Sequence, residues 1–102
     1  MNQITRPRLV AHSLRDPMAA ISARLEDLPS HMCAGARHAI RTATSTDHVL
    51  ILAEYAEEAA REAENFVRGD RQAAAYRLMA AILREAAPII EAQRKEARHD
   101  MA

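Results

Sequence analysis

The first third of the chain carries one apolar stripe, Ala11, Leu14, Met18, Ile21, Leu25 and Leu28, in steps of three and four. Such steps place side chains on one face of an α-helix, and their sustained alternation makes a heptad seam that another helix must cover. The period recurs in Ala36, Ile40 and Ala43, in Leu52, Ala56, Ala59, Ala63 and Phe66, and in Ala75, Met79, Ile82, Ala86 and Ile89. No segment has the β-branched alternation of a strand. The expected fold is all-α: a single domain over residues 1–102, built as a three- or four-helix antiparallel bundle. Alanine dominates the hydrophobic content and there is no Trp, so each covered position hides little apolar area and long, closely packed helices are favoured. A domain of 102 residues gains from pairing with a second copy, so the bundle is expected to be completed as a homodimer.

The breaks come from proline, glycine and capping residues. The phase of the first stripe passes through Pro17, which predicts one helix over about residues 7–28, bent at that proline; the other reading of Asp16-Pro17 is an N-cap and a first-position proline that start a helix there. Leu28-Pro29-Ser30 closes this helix. A second helical region covers about residues 31–67, and the weak helix formers Thr42 to Asp47 leave open whether it is one helix or two. Arg68-Gly69-Asp70 is a strong break, with Gly69 suited to a left-handed closing position and Asp70 to capping the helix that follows. That turn accounts for all three residues of what is also an adhesion tripeptide. The last helix is expected over about residues 71–98, bent or divided at Pro88, with a polar, fraying tail from Arg94 to Asp100.

Composition narrows the function classes. Fourteen basic and 14 acidic side chains give zero formal net charge, so no nucleic-acid partner and no anionic membrane surface is expected. No apolar run is long enough to cross a bilayer, the N-terminal residues lack the apolar core of a secretory signal, and the single cysteine, Cys33, fits a reducing compartment, so the expected location is cytoplasmic. His31, Cys33 and His38 provide no fourth ligand for structural zinc, and neither a metal nor another cofactor is expected. Asp47-His48 reads as the start of a helix before it reads as a catalytic pair.

One segment points to chemistry: His12-Ser13-Leu14-Arg15-Asp16-Pro17-Met18-Ala19-Ala20-Ile21. It resembles the phosphoacceptor box of sensor histidine kinases, commonly His-Glu-Leu-Arg-Thr-Pro-Leu-x-x-Ile, matching at His12, Leu14, Arg15, Pro17 and Ile21, with Met18 close to Leu. The likeness covers about residues 7–66, the dimerisation and phosphotransfer hairpin of that family. It implies that His12 accepts a phosphoryl group, with Leu14, Met18 and Ile21 as core residues. An imidazole needs this combination of exposure and a rigid helix to meet a phosphoryl donor in line. Arg15, three residues on, is suited to stabilise phosphate charge. Ser13 and Asp16 complete the candidate phosphate- or partner-binding set, although the family usually has an acidic residue at the position of Ser13 and Thr or Asn at that of Asp16. No Gly-rich nucleotide-binding segment is present, so no ATP-dependent kinase activity is expected, only phosphotransfer through His12.

Two functions follow. The first is a stand-alone or degenerate phosphotransfer protein of two-component signalling, exchanging phosphoryl groups with, or binding, a response regulator or histidine kinase. The second is a small non-enzymatic helical adaptor or inhibitor, phage- or plasmid-borne in character, that occludes a partner's surface.

Overall fold

The structure, a computed structural model, describes residues 16–101. These form four α-helices: α1, Pro17–Leu25; α2, Ser30–Thr42; α3, Thr46–Ala63; and α4, Asp70–Met101. The fold is an all-α bundle, as the periodicity predicts. Among the described residues no helix is long and apolar enough to cross a membrane.

The start of α1 corrects the expectation of one helix from about residue 7 through a bent Pro17. Asp16 has φ −132° and ψ 89°, outside the helical region, and its Oδ1 accepts the Ala19 N–H at 3.2 Å. Pro17 occupies the first helical position, where a missing N–H costs nothing. Residues 7–15 of the expected helix lie outside the described residues. The far end also comes early: α1 stops at Leu25, and residues 26–28 form a turn that still buries Leu28.

The region 31–67 is two helices. Ala43 is extended at φ −60° and ψ 126°, and Ser45 is extended too. The Thr42 hydroxyl donates back to the His38 carbonyl at 2.8 Å, the side-chain competition expected of that stretch. Helix α4 runs undivided through Pro88 to Met101 and takes in the polar stretch from Arg94 to Asp100.

Helices α3 and α4 make the largest contact. On α3 the buried residues are Val49, Ala53, Ala56, Ala60 and Ala63, a strict four-three repeat. On α4, Ala73, Ala80, Leu83, Ala87 and Ile90 are buried in the matching phase, and Ala73 packs with Ala60 and Ala63 at the closed end of the hairpin. A second row on α4, Met79, Ile82 and Ala86, joins Ile21, Leu25 and Met32 in the main core. Helix α4 thus carries two adjoining seams, one in phase with the α3 contact and one toward the short helices α1 and α2. Arg77 and Arg84 flank the first and pair with Glu64, just past the end of α3, and with Glu57 of α3, while Glu85 flanks the second and pairs with Arg24 of α1.

The α3–α4 turn differs from expectation in one detail. Arg68, not Gly69, takes the left-handed conformation, with φ 70°. Gly69 is needed for space, because a Cβ there would lie 1.8 Å from the Ala63 carbonyl oxygen.

Candidate functional site

Of the sequence-predicted site, His12, Ser13 and Arg15 lie outside the described residues. Asp16 is exposed and is engaged as the N-cap of α1. Ile21 is buried and Met18 packs against the core, the placement that the box pattern implies for them. The non-helical backbone at Asp16 interrupts the helix expected to run through Pro17, and the carbonyl of Ser13 expected to be freed by that proline lies outside the described residues.

The other titratable candidates do not assemble. His31 and His38 are exposed, and among the described residues no group of three His, Cys, Asp or Glu side chains can hold a metal ion. Half-buried Cys33 receives the Arg37 Nε–H at 3.3 Å. Asp47 and His48 are exposed in the first turn of α3.

What the helices do assemble is a trough. Helix α1 contributes Met18, Ile21, Ser22 and Leu25, spaced i, i+3, i+4, i+7, and α4 contributes Ile90, Gln93, Arg94 and Ala97 at the same spacing. Helix α2 supplies Arg37, Ile40 and Arg41 as i, i+3, i+4. The cavity is open and has a volume of about 580 Å³, within the usual range of about 300–1,000 Å³ for binding clefts. It lies where α1 and α2 meet the C-terminal part of α4, on the side of α4 that does not carry the α3 seam.

The floor is apolar, with Ile21, Leu25 and Ile90 nearly buried, and the rim is cationic. Arg37 is fixed: it donates to the Ser22 hydroxyl at 2.6 Å and to the Ser22 carbonyl at 3.1 Å, and it lies 3.6 Å from Glu26. This clamp ties α2 to α1 and sets the width of the trough. Arg41 and Arg94 are exposed and form no ion pair among the described residues. Among the described residues no carboxylate lines the cavity. The sequence signal for this site is the interleaving of arginine with apolar residues in Arg37-Ile40-Arg41 and Ile90-Arg94-Ala97, which the reading of Arg94 to Asp100 as a solvated tail passes over.

In comparisons with known proteins the chain matches no family model, no curated protein and no solved structure.

Proposed function

We propose that the protein is a small helical adaptor or inhibitor that acts by holding a partner protein in the α1/α2/α4 trough. The observation that carries this reading is the trough itself: three helices each turn a strip of matching helical spacing toward one open space. An apolar floor with a polar, charged rim is the usual anatomy of a protein-docking surface. The test is capture of a partner from the cells that make the protein, using wild type, His12→Gln and Ala97→Arg, the last placing a bulky cation in the cavity. The adaptor reading expects a partner held by wild type and His12→Gln and lost by Ala97→Arg. Capture that is indifferent to Ala97→Arg contradicts it.

A second reading, phosphoryl transfer between His12 and a response-regulator aspartate, is supported by the letters of the box and by the inward placement of Met18 and Ile21. Its test is incubation with a phosphorylated receiver domain: acid-labile, base-stable label on wild type and none on His12→Gln. Absence of label on both contradicts it. A homodimer is compatible with either reading and is decided by sedimentation of the pure protein.

A further inference from the structure

We infer that the occupant of the trough is an acidic amphipathic helix of the partner protein. This rests on the adaptor reading and specifies the chemistry of the partner. The shape comes from the strips. Met18, Ile21 and Leu25 on one wall and Ile90, Arg94 and Ala97 on the other both run along helix axes for about two turns, the ridges and grooves into which a further helix packs. The other seam of α4 shows the same arrangement already filled, with α3 lying along it. Among the described residues no helix covers these strips, and their spacing suits one more helix beside the C-terminal third of α4.

The charge comes from the rim. Arg41 of α2 and Arg94 of α4 are exposed on two different walls, and among the described residues neither has a carboxylate partner and no acidic side chain lines the cavity. A helix with apolar residues at i, i+3, i+4 and i+7 and carboxylates flanking them would bury its stripe on Ile21, Leu25 and Ile90 and place acids at both arginines. The chain's own first segment is a poor match, because it brings Arg6, Arg8 and Arg15. A second copy offering its α1 or α2 face to the trough would bring arginines of its own.

The test titrates the full chain with two labelled helical peptides of about 18 residues, or five turns, sharing one Leu/Phe stripe; one carries Glu at the flanking positions and the other Lys. The expected result is binding of the Glu peptide with an affinity about tenfold or more above that of the Lys peptide, and inversion of that preference by Arg41→Glu combined with Arg94→Glu. Both arginines are exposed, and circular dichroism checks that the variant keeps its helices. Equal affinities for the two peptides overturn the acidic partner and leave the adaptor reading standing. No binding of either peptide, while capture of a partner remains sensitive to Ala97→Arg, overturns the helical occupant and again leaves that reading intact. Binding of the Glu peptide only after Val10→Asp and Leu14→Asp assigns the trough to the chain's own first segment. A concentration-dependent dimer that Arg94→Glu alters and the peptide does not displace assigns it to a second copy. Either of these last two results overturns the proposal.

Discussion

Glu57 of α3 and Arg84 of α4 pair across the hairpin, and Glu64 and Arg77 repeat that pair one heptad along each helix, so both bridges report a single antiparallel register. Small residues between them allow the backbones to approach, and the charged pairs at the edge disfavour a slip of the seam. A register shift would put Ala60 or Ala80, both fully buried, against the wrong partners and separate both charge pairs.

This pairing has a pH signature. The hydrogen bond from Arg84 holds the Glu57 carboxyl below its ordinary value, helped by the charges of Arg84 and Arg61. A carboxyl whose pKa is lower folded than unfolded adds stability above its unfolded pKa and loses it as pH falls through the folded one. Urea unfolding of Glu57→Gln should therefore lose less midpoint than wild type between neutral pH and about pH 3, a window that starts above the usual carboxylate value and ends below it. The pair is exposed, so about 1 M salt should shrink the difference. Parallel acid limbs for the two proteins would contradict the assignment.

At the turn, Arg68 and Gly69 have opposite requirements. Gly69→Ala forces a Cβ onto the Ala63 carbonyl and should cost about 1–3 kcal/mol, the range for an overpacked site. Arg68→Gly relieves a left-handed non-glycine and should gain about 0.5–1 kcal/mol after the greater freedom of glycine in the unfolded chain is offset. Thermal melts of both variants check the two signs.

The capping role of Asp16 predicts a local effect. Asp16→Ala should cost about 0.5–2 kcal/mol and increase hydrogen exchange at Ala19, whose N–H the carboxylate accepts. Because α1 is one wall of the trough, the same variant should weaken partner capture without abolishing it.

Much of the fold is legible in the sequence, and the exceptions share a cause. The helical period, the break at Arg68 to Asp70 and the core roles of Ile21, Leu25, Met79, Ile82 and Ala86 are readable because large apolar residues or breakers mark them. Over α3 and the turn after it, the expected face of Leu52, Ala56, Ala59, Ala63 and Phe66 is rotated from the buried one: Leu52 and Ala59 are half-buried, and Phe66, past the helix end, is 71% exposed. Where alanine is so frequent, two helical phases fit about equally well, and only the position of α4 decides between them. At Pro17 the apolar phase and the capping signal of Asp16-Pro17 pointed to different helix starts, and the local hydrogen bond won. The trough depends on how α1, α2 and α4 are set against one another, a tertiary relationship that no local pattern encodes.

The most direct measurement places a photo-crosslinking amino acid at Ala97, inside the trough, and in parallel at Tyr55, an exposed position on α3, in cells that make the protein. The account predicts a discrete adduct with one partner protein from Ala97, lost when Arg41→Glu and Arg94→Glu are added, and none from Tyr55. Adducts from Tyr55 alone, or an Ala97 adduct unaffected by the charge reversals, would contradict it.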